Sequence, residues 1–232
     1  MIQHAVVLLS GGLDSTAALC WAIQRYTDVR AFGIDYGQAN RDAELTSARR
    51  ACDTLGVPYV GIAVADALRP QQPAGILGEI PAPGLACGID RAFVPGRNAL
   101  FATIAVAHAC TWWPDAFDIV IGACAEDQAG FPDCRPVVLA HLAFALTNAC
   151  ARLVAIKTPW ADMAKQQILY AVQPDEKAFD LVRRSWSCYR SEGPCGTCGA
   201  CVKRAAGFAG LGIEDLCTPV KMTGGDPQRE VA

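Results

Sequence analysis

An α/β fold with a doubly wound, mostly parallel, Rossmann-like sheet is the architecture this chain predicts, and three observations carry the expectation. Short apolar runs alternate with helix-period segments along most of the sequence. The first run stops at a glycine-rich turn that leads directly into a helical pattern. Hydrophobic residues make up 52% and charged residues 19%, with a mean hydropathy of +0.22, a balance that suits strands covered on both faces.

Taken in order, residues 5–9 (AVVLL) read as a buried strand ended by Ser-Gly-Gly. Residues 14–26 read as a helix with Ala18, Leu19, Trp21 and Ala22 on its apolar side. The pattern repeats as strand 29–34, helix 41–55, strand 59–64, helix 98–112 and strand 117–121, followed by helices at 137–153 and 163–172. Strands alternating with helices imply a parallel sheet with helices on both faces. Ligands of such sheets bind beyond the carboxyl ends of the strands, so the segments at Ser10, Asp35 and Gly122 are expected to converge. Residues 65–91 form a Pro- and Gly-rich stretch longer than ordinary connections, expected to be a lid or an oligomer contact. The composition changes near Pro174. The expected organisation is therefore a main domain at 1–173, a small C-terminal region at 174–222 and a flexible tail at 223–232.

The 232 residues fit one large domain with a small appendage. No run reaches the ~20 apolar residues of a membrane span, and no basic segment precedes the first apolar stretch, so a cytoplasmic protein without a signal peptide is expected. A net charge of -3 without a basic tract argues against binding along a nucleic-acid backbone and favours a small-molecule substrate. In this setting the twelve cysteines divide into buried thiols, such as Cys20, Cys52, Cys110 and Cys150, and metal ligands. His108 and His141 lie among apolar helical residues and fit no triad or metal pattern.

Ser10-Gly11-Gly12-Leu13-Asp14-Ser15 occupies the first strand-to-helix turn, where glycines let backbone amides approach an anion and Ser10 and Ser15 add hydroxyls. Neither the Walker pattern nor G-x-G-x-x-G is present. Asp14 is informative, because a carboxylate beside phosphates repels them unless it holds Mg2+ or orients a donor. A plain glycine turn capped by Asp and Ser is the alternative. Cys188, Cys195, Cys198 and Cys201 have gaps of six, two and two residues, with Gly196 and Gly199 permitting tight turns. Four thiolates suit a closed tetrahedral Zn2+ site; a redox Cys-x-x-Cys, an iron-sulfur cluster and scattered buried cysteines remain open.

SGGLDS after a first strand resembles the pyrophosphate loop of the N-type ATP pyrophosphatases, with their adenine nucleotide alpha hydrolase-like fold. The segment WSCYRSEGPCGTCGACVKRAAGFAGLGIEDL closely resembles the zinc segment of the 7-cyano-7-deazaguanine synthase (QueC) family. DYGQ at 35–38, FVPGRN at 93–98 and GFPDCR at 130–135 agree with it in order. The resemblance implies ATP as cosubstrate, structural Zn2+ and Mg2+. Adenylation of the 7-carboxy-7-deazaguanine carboxylate would be followed by ammonia addition and dehydration to the nitrile. It assigns catalysis to Asp14, Ser15 and Lys165. ATP binding falls to Ser10, Gly11, Gly12, Leu13, Asp14, Ser15, Asp35, Tyr36 and Arg97, and substrate binding to Gln38, Arg97, Asn98, Phe131, Asp133 and Arg135. Zinc ligation falls to the four cysteines. A homodimer is expected, with no membrane or direct nucleic-acid partner.

The chain departs from the family pattern at Ala39-Asn40, where a His is usual, with altered spacing to Glu44. It departs again at Gln128-Ala129, where an aromatic and a Ser are usual, and at Gln166-Gln167 after Lys165. These departures are expected to gather around the substrate and amine pocket. A paralogue is therefore the second reading, one that stops at the amide or joins the activated deazaguanine to an amine of a partner protein in a bacterial defence system. A tRNA sulfur-transfer enzyme using Cys124 or Cys134, or a non-catalytic nucleotide-binding module, would be a different class.

Overall fold

Ala5 and Val7 turn to one face of the first strand, Val6 and Leu8 to the other, and both pairs are buried. A strand apolar on both sides must lie inside a sheet covered twice, and the computed structural model, which describes residues 2–64, 90 and 92–217, places it there. The strands are β1 (His4–Leu8), β2 (Asp28–Asp35), β3 (Tyr59–Ala63), β4 (Phe117–Ile121) and β5 (Val154–Lys157). They form one parallel sheet in the order β3-β2-β1-β4-β5. The helices are α1 (Leu13–Ile23), α2 (Arg41–Leu55), α3 (Arg97–Trp112), α4 (Pro136–Cys150), α5 (Lys165–Val172), α6 (Glu176–Arg183) and α7 (Gly199–Ala209). The strand order reverses direction between β1 and β4, which opens a crevice at their carboxyl ends.

Two cores result. On one face Ala5, Val7 and Leu9 pack with α1, α2, α5 and α6 and with Phe208 of α7. On the other, Val6, Leu8, Phe32 and Ile34 pack with α3 and α4. The doubly wound parallel sheet agrees with the sequence. Ala178, Leu181 and Val182 of α6 sit in the same core as α1, so this part of the C-terminal region packs directly on the main sheet layer.

One strand was not anticipated. The apolar run expected to be helical through residue 153 breaks at Ala151, which turns left-handed at φ 53°. The Thr147 hydroxyl then donates to the Val154 carbonyl (3.0 Å) and accepts the Val154 N–H (3.1 Å), fixing the edge strand β5. Four residues at a sheet edge give no usable periodicity, which is why the sequence does not announce them. The residues 65–89 and 91, expected to form a lid or oligomer contact, and the tail 223–232 lie outside the described residues.

Gly122, just past β4, sets the crevice. A Cβ there would lie 2.7 Å from the Asp14 carbonyl carbon and oxygen and 2.7 Å from the Ser15 nitrogen. The start of α1 therefore rests against bare backbone. Gly122→Ala is expected to destabilise the fold by about 1–3 kcal/mol through overpacking and to disturb the glycine turn more than the distant sheet. Thermal melting, with nucleotide binding measured on the folded variant, checks this.

Candidate functional site

The turn between β1 and α1 presents its amides because little in the protein occupies them. Gly12 is the N-cap of α1 and offers no side chain to cap the helix. The Leu13 N–H points at Ser187 Oγ (3.5 Å), and Asp14 and Ser15, which follow it in the first turn, line the cavity, where a helix start can bind an anion. Ser10 and Ser15 share a hydroxyl hydrogen bond (3.0 Å), and Ser15 also donates to the Gly12 carbonyl (3.1 Å). Gly11 serves differently. Its φ of 83° and its approach to Ala48 N, 2.7 Å from any added Cβ, seat the turn on α2.

A cavity of about 260 Å³ lies over this turn, between β1 and β4. Among the predicted site residues, Ser10, Gly12, Leu13, Asp14, Ser15, Tyr36, Arg97, Asn98, Phe131 and Lys165 line it. At one end Lys165, only 6% exposed, pairs with Asp14 at 2.6 Å. Burial pulls its ammonium down, but Asp14, Asp127 and Cys124 outweigh that and raise it, so Lys165 is a fixed cation. Its backbone N–H donates to Glu126 Oε1 (2.9 Å), which orients the start of α5. Asp127 Oδ2 accepts the Cys124 N–H (3.3 Å) and thiol (3.2 Å). Asp14, Asp127 and Cys124 offer ligand atoms within 4.8 Å of one another, and Asp14 Oδ1 is buried without a hydrogen-bond partner. That orphaned acceptor fits a divalent cation.

The opposite end is built from β2 and the start of α3. Arg97 stacks over Tyr36, 5.4 Å from its ring centre, and donates to its hydroxyl (3.1 Å). Glu44 also lines the cavity; burial pushes its carboxyl up to about 7 against the opposing pull of Gln38 and Arg97. Sequence reasoning passed over Glu44, Asp127 and Lys203 as site residues, because a charged residue on a helix or turn has no spacing signature.

Five predicted residues stand beside the cavity rather than in its wall. Gly11 faces α2. Asp35 accepts the Gly37 N–H (2.9 Å) and lies 3.7 Å from Arg41. Gln38 is buried, accepting the Tyr36 N–H (3.0 Å) and donating to Glu44 Oε2 (3.0 Å) and the Ile34 carbonyl (3.2 Å). Asp133 accepts the Asn98 N–H (3.1 Å) at the start of α3. Arg135 is exposed and donates to the Gln128 carbonyl (3.1 Å).

Of the departures from the family pattern, the altered spacing brings Glu44 into the cavity wall, and the others stand outside it. None of positions 39, 40, 128, 129, 166 and 167 lines the cavity among the described residues. Asn40 is buried and donates to the Cys188 carbonyl (2.7 Å), Gln128 to the Ala161 carbonyl (2.5 Å) and Gln166 to the Gly210 carbonyl (2.9 Å). Gln167 accepts the Ala164 N–H (2.8 Å). Asn40, Gln128 and Gln166 thus tie segments together outside the cavity wall, while Glu44, whose spacing departs, stands in it.

The four cysteines converge, with all sulfurs within 4.8 Å of one another. Cys195 and Cys201 are 4.0 Å apart, near the roughly 3.8 Å between thiolates on one tetrahedral Zn2+. Backbone N–H groups of Arg190 and Cys195 point at Cys188 Sγ, that of Cys198 at Cys195 Sγ and that of Cys201 at Cys198 Sγ, at 3.3–3.5 Å. Such donors favour thiolates, and those from Thr197 and Cys198 lower Cys195 to about 5. The donor set and spacing fit a structural zinc.

A family model described as "Queuosine biosynthesis protein QueC" matches residues 4–212. A 7-cyano-7-deazaguanine synthase from Laribacter hongkongensis is 36% identical over 222 residues, covering 92% of this chain and 93% of that one. Those from Chlorobaculum parvum and Chromobacterium violaceum are 34% and 35% identical, over 92% of this chain and 95% and 92% of theirs.

Lys165→Met leaves Asp14 uncompensated; because the Asp14 side chain keeps 21% exposure, the expected cost is about 3 kcal/mol, the low end for a broken buried pair. Denaturant unfolding measures it. Cys198→Ser should lower bound zinc, measured by elemental analysis, and soften residues 188–209 in hydrogen exchange while β1 and β4 keep their protection.

Proposed function

The chain belongs to the QueC family, and from that premise we propose that it uses ATP to convert the carboxylate of 7-carboxy-7-deazaguanine, through the amide, into the nitrile 7-cyano-7-deazaguanine. The observation that carries this reading is the convergence of the glycine turn, the Asp14–Lys165 pair and Arg97 on one cavity.

A carboxylate resists attack by ammonia because its oxygen is a poor leaving group. In the proposed sequence a carboxylate oxygen attacks the α phosphorus of ATP, and the bond from that phosphorus to the bridging oxygen breaks. Pyrophosphate leaves and an acyl adenylate remains. Amides at the start of α1, with the hydroxyls of Ser10 and Ser15, receive the leaving pyrophosphate, and Lys165 offsets its growing charge. Asp14 and Asp127 would hold Mg2+, which when bound neutralises phosphate charge. Ammonia then adds to the acyl carbon, AMP departs and the ammonium loses a proton. Attack of the amide oxygen on a second ATP releases pyrophosphate and one N–H proton to give an O-adenylated imidate, and loss of AMP with the other N–H proton completes the nitrile. Arg97, stacked on Tyr36, is suited to an anionic or planar group at the other end of the cavity.

No side-chain nucleophile enters this scheme, in keeping with the two buried thiols of the site. Burial and Asp14 push Cys124 up to about 12, and burial and Asp133 push Cys134 up to about 12. Burial thus disfavours the thiolate form that sulfur transfer uses.

Incubation with ATP, Mg2+, ammonia and 7-carboxy-7-deazaguanine should yield AMP, pyrophosphate and the nitrile by mass spectrometry. AMP release with amide as the only product would replace this reading with the paralogue that stops at the amide, and absence of AMP would overturn it.

A further inference from the structure

Lys203 lies on α7, two residues beyond the last cysteine of the zinc segment, and lines the cavity beneath the glycine turn. Its position follows from close helix packing. A Cβ on Gly207 of α7 would meet Lys165 Cβ at 3.2 Å, so α7 runs against α5 and both lysines reach the same end of the cavity. The Lys203 ammonium donates to the Glu126 carbonyl (3.1 Å) and lies 3.7 Å from Asp127 Oδ1. An ammonium has three donors, so one is left for the cavity. The side chain retains 32% exposure.

The charges at this end set the need for it. Asp14, Asp127 and Glu126 supply three carboxylates around Lys165. Beside Lys165 and a divalent ion that Asp14 and Asp127 would hold, a polyphosphate entering such a corner is held more firmly by a further cation on the protein. Lys203 is that cation, and it comes from the element the cysteines hold. We propose that Lys203 binds the pyrophosphate moiety of ATP and its product, so that the zinc segment contributes directly to the phosphate site. The proposal rests on the reading that the cavity takes ATP.

The test uses calorimetric titration of the full zinc-loaded chain with inorganic pyrophosphate plus Mg2+ and, separately, with AMP. Loss of one charge-assisted contact predicts that Lys203→Met weakens pyrophosphate binding about tenfold. AMP affinity should stay unchanged, and Lys203→Arg should largely restore pyrophosphate binding. Zinc content and melting temperature are compared for each variant, with Lys203→Gln as the alternative neutral variant should Lys203→Met not fold. Unchanged pyrophosphate binding in the neutral variant overturns the inference. Equal loss of AMP and pyrophosphate also overturns it, since that marks a purely structural lysine. If the wild-type protein binds neither ligand, the ATP reading itself fails and the inference falls with it. Wild-type binding with no difference between variants refutes Lys203 alone.

Discussion

The carbonyl oxygen of Gly11 is the point on which the site is assembled. It accepts the Ser47 hydroxyl of α2 (2.8 Å) and the backbone N–H of Trp186 (2.9 Å). Three segments far apart in sequence are thereby joined: the glycine turn, the helix behind it and the segment leading into the cysteine cluster. A turn rich in glycine has many conformations in the unfolded chain, and fixing it costs entropy. Two hydrogen bonds to one carbonyl, with a left-handed φ that a side chain would resist, select a single one. The start of α1 then lines the cavity, with the Leu13 amide turned towards Ser187.

Around this anchor the charges are arranged rather than merely present. The Lys165–Asp14 pair ties α5 to α1 across the crevice, and such a pair gains its worth from geometry because burial strips both groups of water. Arg204, 3% exposed, does the same work one layer back. It holds Asp215 in two contacts of 2.7 Å and donates to Ser185 Oγ (2.8 Å), Ser187 Oγ (3.1 Å) and the carbonyls of Val182 and Arg183 (3.3 and 2.7 Å). Ser187 is the residue to which the Leu13 amide points. The C-terminal region therefore reaches the glycine turn through Trp186 and through Ser187, and neither path passes through the sheet.

The fold was legible because β1, β2 and β4 are buried on both sides and separated by helices of ordinary period. β5 was hidden because four residues at a sheet edge, after an uninterrupted apolar helix, carry no pattern. The glycine turn and the cysteines were legible for a related reason: backbone approach demands Gly and tetrahedral ligation demands close thiol spacing, so both chemistries write themselves locally. The rest of the cavity is not local. Glu44, Asp127 and Lys203 come from α2, the turn after β4 and α7, and only packing brings them together. Gln38, Asp133 and Arg135 belong to recognisable motifs, and among the described residues they stand beside the cavity rather than in its wall. Gln38 and Asp133 instead hold the backbone of Tyr36 and of Asn98, acting through residues that do line the cavity, and Arg135 ties down the loop at Gln128.

Asn40 shows what motif departures mean in such a structure. A histidine was expected at this point in the DYGQ segment; here an amide side chain, 1% exposed, donates to the carbonyl of Cys188 (2.7 Å). Cys188 is itself a metal-ligating candidate, and its carbonyl also accepts the Trp186 indole N–H (2.9 Å). The substitution thus bears on how the start of α2 is clasped to the cysteine cluster. Since α2 also supplies Ser47 to the Gly11 carbonyl, the cysteine segment and the glycine turn share one scaffold. Divergence at position 40 falls there, in the connection between the cysteine cluster and the glycine turn, and outside the cavity wall.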